Sequence, residues 1–146
     1  MRALRYQTFT DPVDLHVEDV PEPVPAAGEV LVRIHAASVN PVDWKIATGG
    51  FRMLVRGGLP RTMGSDFAGQ VISTGAGSTR LAPGDRVFGF VDPFTRTGGT
   101  FAEFAAIPSE FAHRLPDAVP FRDAAALACV GATAVTLCNL GRVTLG

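Results

Sequence analysis

The run EVLVRIHAA, Glu29 to Ala37, limits this chain most, because its character alternates with a period of two. Val30, Val32, Ile34 and Ala36 fall on one side, and Leu31, Arg33 and His35 on the other. Alternation over eight or more residues describes a half-buried strand and is foreign to a helix. VDLHVEDV (Val13 to Val20) repeats the pattern, with Val13, Leu15 and Val17 on one face. GQVISTG, DRVFGFV and GTFAEFAAI add three short runs rich in strand-forming residues, separated by PEPVPAAG, LAPGD, DPFTRTGG and IPSE, which have turn chemistry. Short strands with Gly and Pro between them, and no long helix, predict a mainly β, mostly antiparallel barrel or sandwich.

After residue 122 the chain changes character. PFRDAAALACVGATAVTLCNLG predicts two short helices. One starts after Pro120 with Asp123 in its first turn, where a carboxylate suits the helix dipole; the other follows Gly131 and ends near Gly141. This divides the chain into a β domain, 1–122, and a helical segment, 123–146. The segment is apolar on nearly every side and needs neighbours all round, but a small barrel covers one side only. Self-association through it is the expectation. Its apolar stretch, Ala124 to Leu140, is interrupted by Gly131, Thr133, Thr136 and Asn139 and falls short of a membrane span. The formal net charge of −1 gives no field for nucleic acid or an anionic membrane. The N-terminus lacks the apolar run of a secretory signal, which makes the cytoplasm the expected location. Cys129 and Cys138 read as buried free thiols.

Five motifs occur in order: SVNPVDWKIATG (38–49), LPRTMGSDFAG (59–69), STGAGSTRLAPGDRVFG (73–89), GGTFAEFAAIP (98–108) and DAAALACVGATA (123–134). Together they resemble the N-terminal domain of medium-chain dehydrogenases/reductases, and most of all the zinc-free NADPH:quinone oxidoreductase branch. The resemblance spans almost the whole chain. It implies a GroES-like β-barrel and hydride transfer from NADPH to a quinone or enone. In that family a Rossmann domain follows, and no G-x-G-x-x-G loop occurs here; GAGS, Gly75 to Ser78, lacks the spacing and reads as a hairpin turn. On this reading the chain is the catalytic half of an oxidoreductase, inactive alone and weak in NADPH binding. The alternative is a non-enzymatic GroES-like interaction module with a mobile 51–63 loop.

The resemblance also implies roles for individual residues. Where zinc-dependent members carry Cys and His ligands, this chain has Asn40 and Ser65-Asp66, which are poor zinc ligands, so no metal is expected. Asn40 matches the V-N-x-x-D motif and would donate a hydrogen bond near the nicotinamide and substrate. Thr133 of G-x-T-A would contact the nicotinamide end, Lys45 a cofactor phosphate, and Trp44 and Phe51 would wall the substrate pocket. Local alternatives stay open. Asn40 could merely cap the turn before Pro41, Asp43 could cap the helical turn 43–49, Trp44 and Phe51 could be core, and Thr133 could bond back to its own turn. In GSDFAG, Gly64 and Gly69 would permit a bend, and Asp66 would satisfy nearby donors, with Arg86 as one possible partner.

Overall fold

A computed structural model describes residues 1–11, 13–77, 80–94 and 99–141. In chain order the elements are β1 (Arg2–Tyr6), β2 (His16–Asp19), β3 (Glu29–Ala36), α1 (Pro41–Ala47), β4 (Arg61–Thr62), β5 (Asp66–Thr74), β6 (Arg86–Phe90), β7 (Phe104–Pro108), β8 (Ala112–Arg114) and α2 (Phe121–Leu140). One sheet has the order β2-β1-β4 and the other β7-β3-β5-β6-β8. Every pairing is antiparallel. The sheets do not close into a barrel among the described residues. They are laced together by the segment before β7: Leu4 N–H donates to Phe101 O at 2.8 Å, Glu103 N–H to Arg2 O at 3.0 Å, and Ile34 N–H to Glu103 O at 2.9 Å. The mainly β, GroES-like layout expected from the sequence is the one observed.

β3 is the strand that its alternation predicts, paired on both sides, with β7 and β5. Val30 and Val32 are fully buried with Phe67, Val71, Val87 and Ile107, while Arg33 and His35 face outward. Leu31 is also buried, at the point where the β3–β5 register shifts and the strict alternation breaks. The second alternating run is shorter than expected. Only His16–Asp19 forms a strand, at the sheet edge, and Leu15 and Val17 are exposed rather than core.

β5 serves two layers. Phe67 and Val71 fill the core, while Ala68 points the other way, against Leu115, Ala124 and Ala125. Both glycines of GSDFAG are needed where they stand. Gly64 has φ +96°, and a Cβ there would lie 2.3 Å from the Phe101 ring; at Gly69 a Cβ would lie 2.0 Å from the Arg33 carbonyl oxygen.

The two short helices expected near the C-terminus are one continuous 20-residue helix. Gly131 does not break it. A mid-helix glycine costs only about 1 kcal/mol against alanine, and the early turns are held by packing on β5, β6 and β3. Arg86 fixes the entry to α2. It donates to Pro116 O at 2.8 Å and Val119 O at 2.7 Å and sets its guanidinium 4.5 Å from the Phe121 ring centre. Arg86 is thus committed to α2 and is not the partner of Asp66. At 20 residues and a mean hydropathy of 1.5, α2 is by length and composition apolar enough to cross a membrane, where the interrupted sequence was expected to fall short. Its Ala124, Ala125 and Ala128 are buried against the sheet.

Gly69→Ala should lower stability by about 2–3 kcal/mol through the clash with Arg33 O. A urea unfolding midpoint equal to wild type would refute this close approach.

Candidate active site

The turn between β3 and α1 places the first candidate residue. Asn40 is the N-cap of α1, extended at φ −111° and ψ 154°, and Pro41 follows at the first helical position, where its missing N–H costs nothing. Asn40 and Asp43 form a capping box, whose strong half is the Asn40 N–H donated to Asp43 Oδ2 at 2.7 Å. Asp43 therefore caps the helix, as one reading of the sequence held. The Asn40 side chain does more than cap, because its Nδ2 donates to Asp66 Oδ2 at 2.9 Å.

A buried polar knot forms around these contacts. Ser38 Oγ donates to the same Asp66 oxygen at 2.5 Å, and Ser65 Oγ donates to Asp43 Oδ1 at 2.6 Å. Thr100 Oγ1 donates to the Asp66 carbonyl at 2.7 Å. Asn40, Asp43, Ser65, Asp66 and Thr100 are all buried, Asp66 completely. Asp66 Oδ1 is buried with no hydrogen-bond partner. Burial pushes the Asp43 carboxyl above its ordinary value; the bonds from Ser65 and Asn40 pull it back, and the Asp66 charge pushes it further up.

α2 brings in the second candidate. Asp66 and Ala68 share the β5 face that α2 covers. On α2 the Cys129 thiol is pushed up by burial and then by the Asp66 charge, while a bond with the Thr133 side chain lowers it. Thr133 is an exposed residue one turn beyond Cys129, and among the described residues no hydrogen bond joins it to the knot. The helix threonine that bonds back to the main chain is Thr136, to Ala132 O at 2.8 Å. Cys138 is exposed and Cys129 only partly covered, so neither is the fully buried thiol expected, because just the early turns of α2 meet the sheet.

The remaining candidates lie apart from the knot. Trp44 is 48% exposed on α1, with Lys45 Nζ 5.8 Å from its ring centre. Phe51 meets Phe94 edge to face, with centroids 5.8 Å apart. The loop expected to be mobile is tied down: Arg56 N–H donates to Phe94 O at 2.7 Å, and Arg61 donates to Arg56 O and Pro93 O. An open groove of ≈ 730 Å³ lies elsewhere, between α2 and the β6–β8 edge, lined by Phe88, Phe90, Phe111, Leu127 and Val135 among others. Among the described residues no three His, Cys, Asp or Glu side chains gather as a metal site. The histidines are dispersed: His16 pairs with Asp14 at 3.0 Å, His35 stacks on Phe121, and His113 stands on β8 rather than in a loop. Half of DPFTRTGG, 95–98, and the final residue of GAGS lie outside the described residues.

Residues 26–117 match the family described as the alcohol dehydrogenase GroES-like domain. The chain belongs to that family. This GroES-like domain is 40% identical, over 97% of its length, to a zinc-type alcohol dehydrogenase-like protein of Schizosaccharomyces pombe, and 39% identical, over 87%, to a quinone oxidoreductase of Rattus norvegicus. It spans only 42% and 37% of those two proteins. The quinone oxidoreductase of Coxiella burnetii superposes on the whole chain with a TM-score of 0.89 at 30% identity, over 46% of its own length. An Escherichia coli quinone oxidoreductase complexed with NADPH superposes on 94% of the chain with a TM-score of 0.84 at 26% identity, over 40% of its length.

Two expectations follow for the knot. Asp66→Ala leaves the Ser38 and Asn40 donors unpaired and should cost about 2 kcal/mol or more; an unchanged melting temperature would contradict this. Asp43 holds its proton more tightly folded than unfolded, so its contribution favours the fold below the ordinary Asp value of 3.8 and fades as pH rises through its raised value. Asp43→Asn should flatten the fall in unfolding free energy above about pH 4, measured by urea titration at several pH values.

Proposed function

We propose that this chain is the substrate-binding and catalytic domain of an NAD(P)H-dependent oxidoreductase that reduces quinones or enones by hydride transfer without zinc. The observation that carries the reading is the state of Asn40. One Nδ2 hydrogen is spent on Asp66 and the carboxamide sits in the capping box, which leaves a second, oriented N–H. A fixed donor of this kind stabilises an oxygen that gains charge, as a quinone or enone oxygen does when hydride arrives at carbon. NADPH, when bound, supplies that hydride from its nicotinamide ring. The residues present fit its nicotinamide end: Asn40 belongs to the knot, Thr133 stands on the helix that packs against β5, and both carry polar groups able to bond a carboxamide. The donor set at the positions of the zinc ligands, an amide and a hydroxyl, suits neutral hydrogen bonding better than it suits Zn²⁺. Trp44 at the rim offers an aromatic face to a planar substrate. Tyr6, the one tyrosine, is 2% exposed, so the proton that completes the reduction comes from solvent.

The chain on its own should hold NADPH weakly. A titration of NADPH to millimolar concentrations, followed by amide NMR shifts, should perturb Asn40 and Thr133 first, and shifts confined to the far side of the β2-β1-β4 sheet would refute the reading. Joined to the segments its longer relatives carry, Asn40→Ala should lower kcat/KM for a quinone by about 10²-fold.

The exposed side of α2 supports self-association of the chain in isolation. Leu127, Val130, Val135, Leu137 and Leu140 are each more than half exposed. A monomer of 15.4 kDa exposes about 7,200 Å² by the usual scaling, and this chain exposes 8410 Å², an excess of about 1,200 Å². That exceeds the roughly 800 Å² per partner of a standard interface. Sedimentation should show a concentration-dependent dimer that Leu137→Lys weakens; a monomer at all concentrations would contradict this.

A further inference from the structure

We propose that Asp66 is the positioning residue of this site, acting through the Asn40 carboxamide. The inference rests on the reading of Asn40 given above and assigns it a mechanism of orientation. A primary amide on a helix cap can turn over by half a rotation, which exchanges its donor and acceptor ends. An ionised carboxylate accepts hydrogen bonds and donates none, so Asp66 Oδ2, 2.9 Å from Nδ2, holds only the orientation in which nitrogen faces it. The other end of the carboxamide then faces the first turn of α1. Among the described residues Asp66 is the one partner of Nδ2, so a single hydrogen bond leaves its second hydrogen to be presented.

Two features mark Asp66 as more than a generic buried acid. Among the described residues no arginine or lysine bonds to it; its donors are the Ser38 hydroxyl and the Asn40 amide, both on Oδ2, while Oδ1 is buried and unpartnered. A fully buried carboxylate with one bare oxygen is expensive to keep, and a fold that needed only filler at the start of β5 would be better served by an apolar side chain. Thr100 anchors the main chain at the same residue, so the carboxylate is held by backbone as well as side chain. A carboxylate polarises the amide it accepts from; it fixes which hydrogen is presented and narrows its direction, a function distinct from that of the substrate contact itself.

The test reads the orientation directly and needs no cofactor. The chain has two asparagines, Asn40 and Asn139, so the Asn40 side-chain amide can be assigned in a ¹H–¹⁵N spectrum by its disappearance in Asn40→Ala. In the wild-type chain the two Nδ2 protons of Asn40 should be widely separated, because one lies on a carboxylate and the other does not. Ser38→Ala makes Asn40 the sole donor to Oδ2 and should move the bonded proton further downfield. Asp66→Asn, which keeps an acceptor oxygen without the charge, should narrow the separation, and Asp66→Leu should collapse it to that of a free amide. If the Asp66→Leu chain does not fold, Ser38→Ala and Asp66→Asn decide. Asn40 protons that stay where they are in Ser38→Ala and Asp66→Asn would overturn the proposal. Because this measurement involves neither NADPH nor quinone, a failure of the proposed function leaves its outcome unaffected, and the converse also holds.

Discussion

The site depends on one buried carboxylate. Asp66 opens β5, the strand that touches most of the molecule, and it gathers Ser38 and Asn40 from the turn before α1 together with Thr100 from the segment that laces the sheets. Asp43 does the complementary work one turn along α1, receiving Asn40 from its own cap and Ser65 from the strand side. The two carboxylates receive four donors between them, the Ser38 hydroxyl and Asn40 amide on Asp66 and the Asn40 N–H and Ser65 hydroxyl on Asp43. Their bonds are charge-assisted, which makes them short and directional. They therefore place a carboxamide more firmly than packing alone could.

The surrounding architecture explains why the knot can be dry. On its core face, β5 offers Phe67 and Val71 to a cluster of valines and Ile107; on the other face, Ala68 lets α2 come close. The small side chains of α2 that meet the sheet, Ala124, Ala125 and Ala128, allow the helix backbone to approach β5 closely. Beyond this contact the helix runs out over solvent with its leucines and valines uncovered. The same helix thus covers β5 with its first turns and carries much of the molecule's exposed apolar surface.

Much of this was legible in the residues. Period-two alternation located β3, and β-rich runs located β5, β6 and β7; β6 and β7 alternate in burial, whereas β5, covered on both faces at its start, shows in composition and not in period. β4 and β8 went unread, since two or three residues cannot show a period. The helix break expected at Gly131 failed for a related reason: local propensity argued for a stop, while packing of the preceding turns carried the helix through. Asn40 and Asp43 could be assigned from V-N-x-x-D, but the Asp66 contact could not, because nothing in a sequence shows that residues 26 positions apart share a hydrogen bond. Arg86 was an attractive partner on paper and is spent on carbonyls and the Phe121 ring instead.

The knot also ties together parts of the chain that lie far apart. Its longer hydrogen bonds span 22 to 34 positions, from the turn before α1 and α1 itself to the start of β5 and the segment before β7. Closing such loops costs entropy that the contacts must return. α1, seven residues long, is too short to be stable by itself and depends on its cap and on its surroundings. Ser38 and Asn40 follow directly on β3 and Asp66 opens β5, so any change that loosens the β3–β5 seam disorders the knot without touching one of its residues.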